Sequence, residues 1–341
     1  MPPDTPDSVL HEVHRNGVPE EPGDGWSGST LAIVGLGLIG ASIALAIRAR
    51  HMVKEIIGFD RSSEVVARAV RAGIIDSGSG CAAEAASRAD LVVIAVPVSG
   101  IPGVAREISG VLKRDAVVTD VGSTKGGIVQ ALEAILLRHG RDYVDYIGGH
   151  PMAGSEKAGL SAAEPGLFAG APYVLTPTAR TSPRAVEAGY SLARAVGAIP
   201  VELDAERHDR VVACISHLPY IVAVALAETA MEQGEGDRMI AELASSGFRD
   251  TTRVASSCPG MSADFCLANR DALLQAIKHF RDRLDDLARD IARGSATFVE
   301  KLGKIKDFRD ELAVLKGWDS RETGDKPRGE TSERRSTAAG R

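Results

Sequence analysis

Short apolar runs alternate with helix-period segments from residue 31 to about residue 150 of this 341-residue chain. The runs LAIVG, EIIGFD, DLVVIAV, DAVVTDV and YVDYIGG are rich in β-branched residues, as expected of strands that are buried on both faces. The intervening segments, such as IGASIALAIRAR and SSEVVARAVRAG, place apolar residues at helical spacing. This alternation predicts an α/β fold with a doubly wound parallel sheet.

The pattern becomes mainly helical after residue 150. A brief strand-like YVLTP precedes predicted helices over 183–196, 205–231, 261–293 and 296–315. The stretch VVACISHLPYIVAVALAETAM is too apolar for a surface helix, so we expect it to form the core of a helical domain, shared with a second subunit. The predicted division is a first domain over 29–178 and a helical domain over 179–318.

Both ends of the chain have the composition of disordered segments. Residues 1–28 are rich in Pro, Gly, Asp and Glu, and residues 319–341 contain no large apolar side chain. Such segments cannot bury enough surface to offset the loss of chain entropy. We therefore predict disordered extensions at 1–28 and 319–341.

Composition excludes several classes of function. With 44% hydrophobic residues, 25% charged residues and a formal charge of −6, the chain does not favour nucleic-acid or anionic-membrane partners. Four cysteines without CxxC spacing suggest reduced thiols and no metal site. The N-terminus lacks the charged start and apolar core of a signal peptide, and no apolar run reaches the length of a membrane span. We expect a cytoplasmic protein.

The motif GLGLIG follows the strand LAIV and opens a helix, which is the setting of a Rossmann-type dinucleotide site. Its first glycine permits a tight turn, the second lets the backbone approach a pyrophosphate, and the third lets helix and strand pack closely. Asp60, 20 residues beyond the last glycine, can accept hydrogen bonds from the ribose hydroxyls, which favours NAD. Arg61 leaves NADP open, because a guanidinium can pair with a 2′-phosphate. The predicted contacts within the motif are Gly35, Gly37, Leu38, Ile39 and Gly40.

Three further strand ends deliver polar groups to the same edge of the sheet. In AVPVSG, Val96, Pro97 and Ser99 are expected along the nicotinamide, although Pro97 could equally be a strand-stopping proline. Ser123 in DVGSTKG and His150 in the turn-rich GGHPMAG should converge there. A neutral imidazole suits acceptance of a hydroxyl proton, and a serine hydroxyl can orient that ring or reach the substrate.

These motifs, with SHLP and GFRDTTRVA, resemble the prephenate and arogenate dehydrogenase family of tyrosine biosynthesis over roughly residues 30–315. The resemblance implies a homodimer with an N-terminal dinucleotide-binding domain and a mainly α-helical C-terminal dimerisation domain. It implies oxidation of a cyclohexadienyl alcohol with NAD or NADP and loss of carbon dioxide. Prephenate would give 4-hydroxyphenylpyruvate; arogenate, the alternative substrate, would give tyrosine.

The resemblance also implies roles for individual residues. His150 would bind the ring hydroxyl with Ser123 beside it, and Arg253 would bind the ring carboxylate. Arg249 and Asp250 share the turn of Arg253, and Asp250 could hold one arginine until the substrate arrives.

Other positions leave two interpretations open. Ser155 and Glu156 could shape the substrate pocket or begin a helix. His217 matches a family position but could be a core histidine bonded to a backbone carbonyl. Tyr220 stands where several members have a second histidine that faces the substrate side chain. His208 and Asp209 are predicted to be helix-start residues at a dimer or domain contact.

Two rival functions make different predictions. Another two-domain Rossmann reductase would be expected to carry a lysine in the long apolar helix, which contains none. A non-catalytic NAD-binding protein would be expected to have lost part of the set Ser123, His150 and Arg253, all of which are present.

Overall fold

The computed structural model describes residues 26–137, 145–154, 158–235, 238–294 and 297–318. Within these residues, eight strands form one sheet in the order β3-β2-β1-β4-β5-β6-β7-β8. The strands are β1 Thr30–Val34, β2 Glu55–Phe59, β3 Ser77–Gly78, β4 Leu91–Ile94, β5 Val117–Asp120, β6 Tyr146–Pro151, β7 Pro172–Thr176 and β8 Ile199–Glu202.

The helices of the sheet domain cover both faces of this sheet. They are α1 Leu38–Ala49, α2 Ser63–Arg71, α3 Ala82–Arg88, α4 Ile101–Ile108, α5 Gly126–Leu137 and α6 Pro183–Ala195. Side chains alternate along β1: Leu31 and Ile33 belong to one apolar core, while Ala32 and Val34 belong to the core on the opposite face. All four are 0–1% exposed. The predicted doubly wound sheet is confirmed.

Strand direction changes at one place. All neighbours from β3 to β6 are parallel, whereas β6 pairs antiparallel with β7, and β7 pairs parallel with β8. Because β8 is bonded to β7 and α6 packs on the sheet, the sheet domain continues to Glu202. The predicted boundary after residue 178 therefore needs correction, and we place it between Glu202 and Asp204.

The predicted disorder at the ends lies mostly outside the described residues, at 1–25 and 319–341. Residues 26–28 are part of a turn, contrary to that prediction. The indole Nε1 of Trp26 donates a hydrogen bond to Ser191 Oγ at 3.1 Å, and its ring packs on the core beside α1 and α6. A large aromatic side chain that finds an apolar surface can order the polar segment around it.

The region after Glu202 is helical, as predicted, but contains more breaks than the pattern indicates. Its elements are α7 Ala205–Val212, a π-helical turn Ala213–His217, α8 Leu218–Gln233, α9 Met239–Leu243, α10 Ser246–Thr252, a 3₁₀ turn Arg253–Ser256, α11 Pro259–Ala268, α12 Arg270–Arg293 and α13 Thr297–Lys316. The predicted single helix over 261–293 is interrupted at Asn269, between α11 and α12. From Lys278 onward the chain belongs to a second compact unit, in which the Lys301 ammonium pairs with Asp290 at 2.7 Å.

Helix α8 is exposed rather than buried. Ala223 is its only buried residue in the described chain, so one subunit alone does not enclose this helix, and the expected core needs the second subunit with which it was predicted to be shared. The expectation that no apolar run is long enough to span a membrane is wrong. The helical stretch Ala205–Gln233, with a mean hydropathy of 1.8, is long and apolar enough by length and composition alone. A single such helix is weak evidence for a span, and His208 and Asp209 in its first turns bond to the sheet domain.

Candidate active site and cofactor site

Two of the three glycines of GLGLIG show in the structure why a side chain is excluded, and the third leaves open space. Gly35 has a positive φ of 103°, and a Cβ there would lie 2.3 Å from the carbonyl oxygen of Ala95. A Cβ at Gly40 would lie 2.0 Å from Gly35 O, whereas one at Gly37 would meet no protein atom within 4 Å. Helix α1 begins at Leu38, which Ile39 follows, and no side chain caps its N-terminus. Its first amides can therefore bind an anion such as a pyrophosphate.

Asp60 is fixed next to this motif. Its Oδ2 accepts the backbone N–H of Leu36 at 3.0 Å, and its Oδ1 accepts that of Ser62 at 3.0 Å. The remaining lone pairs can accept ribose hydroxyls. Asp60 and the exposed Arg61 line a cleft of about 560 Å³ together with Ser79 and Gly80, and this cleft suits the adenosine half of NAD.

The loop after β4 lies beside the glycine motif, as predicted. The Cγ1 atom of Val96 is 3.1 Å from the position that a Cβ on Gly35 would take. Pro97 is exposed. The backbone amide of Ser99 donates to the carboxylate of Asp264 on α11, at 3.2 Å from Oδ2 and 3.3 Å from Oδ1. That amide is thus engaged by the helical region.

His150 lies within a strand. The expectation of a turn-rich loop was wrong, because β6 continues to Pro151 and His150 pairs with Val174 of β7. The preceding glycines serve close packing: a Cβ at Gly149 would lie 2.7 Å from Asp120 O, and one at Gly148 would lie 2.4 Å from Thr176 Oγ1. Larger residues would push β6 away from its neighbours and displace His150.

A chain of hydrogen bonds runs from His150 into the protein. His150 Nδ1 is 2.8 Å from His208 Nε2, and His208 Nδ1 is 2.8 Å from Asp209 Oδ1. Asp209 also accepts the backbone N–H groups of Lys125 at 2.6 Å and Gly126 at 2.8 Å. The domain contact predicted for His208 and Asp209 at the start of α7 is present, and the same bonds make both residues part of the site.

Asp209, at the end of this series of hydrogen bonds, determines where the protons lie on the two histidines. An ionised carboxylate only accepts, so His208 donates to it through Nδ1–H, and a neutral His208 then has a lone pair on Nε2. That lone pair accepts the Nδ1–H of His150, which leaves the Nε2 of His150 as a lone-pair acceptor. Within the described residues this Nε2 has no hydrogen-bond partner. The arrangement can accept a proton from a substrate.

Burial and charge keep these groups in the required states. Burial, together with the nearby His208, Lys125 and His217, lowers the pKa of His150 well below 6.5. Burial alone would raise the pKa of Asp209, but hydrogen bonds from His208 and from the amides of Gly126 and Lys125 hold it below its ordinary value. A neutral His150 is therefore linked to an ionised Asp209.

A buried ion pair fixes the loop below His150. The Lys125 ammonium is fully buried, pairs with Asp120 and donates to Gly149 O at 2.8 Å. Asp120 Oδ1 accepts the hydroxyl of Tyr146 at 2.8 Å. Burial lowers the pKa of Lys125 despite the charge of Asp120. The motif DVGSTKG contains this lysine, but the burial that gives it its role cannot be predicted from the motif.

Ser123 does not hold the ring of His150. It is half-buried three residues beyond the end of β5 and makes no hydrogen bond to His150 in the described structure. His208, through its bond to Nδ1, orients the ring of His150, which was one of the two roles predicted for the serine. Ser123 retains the other predicted possibility, contact with the substrate.

His217 is buried in the π-helical turn. Its ring stacks on Phe265 with centroids 4.6 Å apart, and Tyr220 meets the same ring edge-on at 5.5 Å. Its Nδ1 is 3.2 Å from Asn269 Nδ2, so the expected bond to a backbone carbonyl was wrong. Burial lowers the pKa of His217 to about 4. Nothing in the sequence singled out Asn269.

The predicted carboxylate-binding turn is exposed. Arg249 Nε pairs with Asp250 Oδ1 at 2.8 Å, and both side chains are more than half exposed. Arg253 begins the next turn, also exposed, which packs against α8. Ser155 and Glu156 lie outside the described residues.

Comparisons with known proteins agree with this geometry. A model of the prephenate dehydrogenase nucleotide-binding domain matches residues 43–202, and one of the prephenate dehydrogenase dimerization domain matches residues 204–304. The chain is 38% identical over 296 residues to a prephenate dehydrogenase of Bacillus subtilis, which covers 84% of this chain and 76% of that protein. The division between the two matched models falls directly after β8.

Two solved structures are also similar. A prephenate dehydrogenase from A. aeolicus in complex with hydroxyphenyl propionate and NAD+ is 34% identical, with a TM-score of 0.78 and coverage of 83% of this chain and 98% of that one. An arogenate dehydrogenase from Synechocystis is 32% identical, with a TM-score of 0.71 and coverage of 83% and 99%.

Asp60→Ala should weaken NAD binding roughly tenfold or more, because the ribose hydroxyls lose a charged acceptor. The preference for NAD over NADP should narrow, since the carboxylate no longer repels a 2′-phosphate. Arg61→Ala is the matched control and should leave NAD affinity within about twofold. Calorimetric titration with both nucleotides measures these effects. Unchanged NAD affinity in Asp60→Ala would contradict the assignment.

Proposed function

The chain belongs to the prephenate dehydrogenase family, and on that basis we propose that it oxidises and decarboxylates prephenate with NAD. The products are 4-hydroxyphenylpyruvate, carbon dioxide and NADH, a step of tyrosine biosynthesis. The observation that carries the proposal is the series of hydrogen bonds from Asp209 through His208 to His150. It ends at the carboxyl end of β6 in a ring nitrogen that has no hydrogen-bond partner among the described residues. The name of the Bacillus subtilis relative favours prephenate over arogenate as substrate.

The residues of this chain act mainly on the proton of the substrate. His150 Nε2 accepts the proton of the C4 hydroxyl, and His208 and Asp209 stabilise the imidazolium that forms. NAD, when bound at the GLGLIG motif, supplies the hydride acceptor for C4. The developing C4 carbonyl is conjugated with the carbon that bears the carboxylate, so carbon dioxide leaves and the ring becomes aromatic. Positioning by the protein supplies the remainder of the rate enhancement.

Charged and polar groups around His150 have distinct proposed tasks. Ser123 contacts the substrate hydroxyl, because His208 already holds the ring of His150. Arg253 binds the ring carboxylate, where its planar guanidinium can donate two parallel hydrogen bonds. Arg249, in the preceding helix, is paired with Asp250.

A non-catalytic NAD-binding role is the weaker alternative. Such a protein has no use for a neutral histidine that is aligned by a second histidine and a buried carboxylate, since these groups contribute nothing to dinucleotide binding. The intact chain of hydrogen bonds thus supports an enzyme.

We further propose a homodimer formed by the helical region. The matched model for residues 204–304 is described as a dimerization domain, and α8 leaves apolar side chains exposed. The predicted cytoplasmic location stays a prediction. Leu226→Glu, at a position 37% exposed on α8, should yield monomers in sedimentation velocity. Val111→Glu, at a position 42% exposed in the sheet domain, should not. A dimer that withstands Leu226→Glu would place the interface elsewhere.

Purified protein with prephenate and NAD should produce NADH, followed by absorbance, and arogenate should be the poorer substrate in kcat/KM. His150→Asn should lower kcat by about 10² to 10⁴, the usual contribution of a positioned general base. NAD affinity in this variant should remain unchanged and serves as its folding control. Activity toward neither substrate would refute the proposed reaction, and full turnover in His150→Asn would remove this residue from it.

The pH dependence of kcat/KM should reflect the lowered pKa of His150. Only the neutral ring accepts a proton, so activity is lost as pH falls through the pKa of this residue in the folded protein. Because that pKa lies well below 6.5, the rate should stay level as pH decreases through 6.5 and fall with unit slope only at lower pH. A pH–rate profile measures this. An inflection at or above 6.5 would contradict the assignment.

A further inference from the structure

His217 is another buried histidine of the site, and the side-chain amide of Asn269 contacts its ring nitrogen Nδ1. We propose that Asn269 is a positioning residue that holds His217 with its proton on Nε2, so that the ring donates a hydrogen bond to an anionic oxygen of the substrate. This inference rests on the proposed function and deepens it. The oxygen belongs to a carboxylate of the substrate, the group that most needs a donor when water is excluded.

The position of Asn269 suits this role. It lies at the break between α11 and α12 and is 4% exposed. A buried carboxamide at such a break is costly unless its polar atoms are paired. Its nitrogen is 2.8 Å from the backbone oxygen of Asp209 and 3.2 Å from His217 Nδ1. The same side chain thus links α11 to α7 and to the π-helical turn.

These two contacts determine which ring nitrogen of His217 carries the proton. A carbonyl oxygen can only accept, so the amide atom that faces Asp209 O must be the nitrogen. That nitrogen directs its second N–H at His217 Nδ1, which must therefore carry a lone pair. The ring proton is left on Nε2. The lowered pKa of His217, about 4, keeps the ring neutral at physiological pH.

The remaining surroundings fix the ring close to His150. Phe265 stacks on His217 at an interplanar angle of 20°. His217 is close enough to His150 to contribute to the lowering of the pKa of His150. In the described chain its Nε2 has no protein partner. Besides His208, the site thus holds two neutral histidines with opposite roles: His150 accepts through Nε2 and His217 donates through Nε2.

Both histidines depend on the same residue. The side chain of Asp209 orients His208 and, through it, His150, while its backbone oxygen orients Asn269 and, through it, His217. A substrate that offers one hydroxyl proton and several oxygen acceptors is complementary to this pair.

The decisive variant is Asn269→Asp, which keeps the shape of the side chain but only accepts hydrogen bonds when ionised. His217 should then carry its proton on Nδ1 and present a lone pair to the substrate carboxylate. KM for prephenate should rise roughly 10- to 100-fold, the range for a lost hydrogen bond to a charged group, with a smaller change in kcat. NAD affinity should be unchanged. Imidazole ¹⁵N NMR should show Nε2–H in the wild type and Nδ1–H in the variant.

Acid should partly rescue Asn269→Asp. The new carboxylate favours protonation of His217, and the imidazolium again has an Nε2–H. The groups that act on this ring besides residue 269 are Asp209, His208 and His150. KM of the variant should therefore fall as pH is lowered from 8 toward 6, whereas KM of the wild type should not. A role limited to packing would produce no such dependence.

Asn269→Leu is the control, because it removes the donor without adding charge. It should raise KM less than Asn269→Asp does and show no acid rescue. A wild-type His217 with its proton on Nδ1, or an active Asn269→Asp enzyme with normal KM at every pH, would overturn the inference. Failure of the proposed reaction would instead appear as inactivity of the wild type toward prephenate, and the NMR signal of His217 would still test the role of Asn269 in setting the ring proton.

Discussion

The carboxylate of Asp209 is the interaction on which the site depends. It accepts the first backbone amide of α5, the amide of Lys125 and the ring N–H of His208, so one side chain joins the helical region to the carboxyl edge of the sheet. Its negative charge at the start of α5 is stabilised by the orphan amides there. Those same hydrogen bonds keep Asp209 ionised despite its burial. The ionised carboxylate in turn determines which ring nitrogens of His208 and His150 donate and which accept.

A buried ion pair lies close to this carboxylate. The pair of Lys125 and Asp120 is fully enclosed and is satisfied by Gly149 O and the hydroxyl of Tyr146. Removing one partner of such a pair leaves an uncompensated charge, which typically costs about 3–5 kcal/mol. The pair thus locks the two strand ends that carry Ser123 and His150. Burial keeps His150 and His217 neutral, and a neutral ring can accept or donate without a large desolvation penalty.

The parts of the site that sequence reasoning recovered are those that depend on local geometry. GLGLIG specifies a turn, an open backbone and a close helix–strand contact within six residues, so Gly35, Gly37 and Gly40 could be assigned directly. His150 was found through its motif, although its strand was mistaken for a loop. Its β6 backbone is extended because β7 returns antiparallel beside it, a pairing between distant segments that periodicity does not reveal.

The sequence by itself determined the doubly wound sheet, the dinucleotide motif and the family, since each is encoded in short-range pattern and spacing. The tertiary structure decided which residue orients His150, which residue orients His217 and where the sheet domain ends. Asp209 is 59 residues from His150, and Asn269 is 52 residues from His217. Asp209 is linked to His150 through His208 only once α7 has packed against the sheet. Asn269 reaches His217 only once α11 and the π-helical turn have packed together, because no local preference of the chain brings these atoms together.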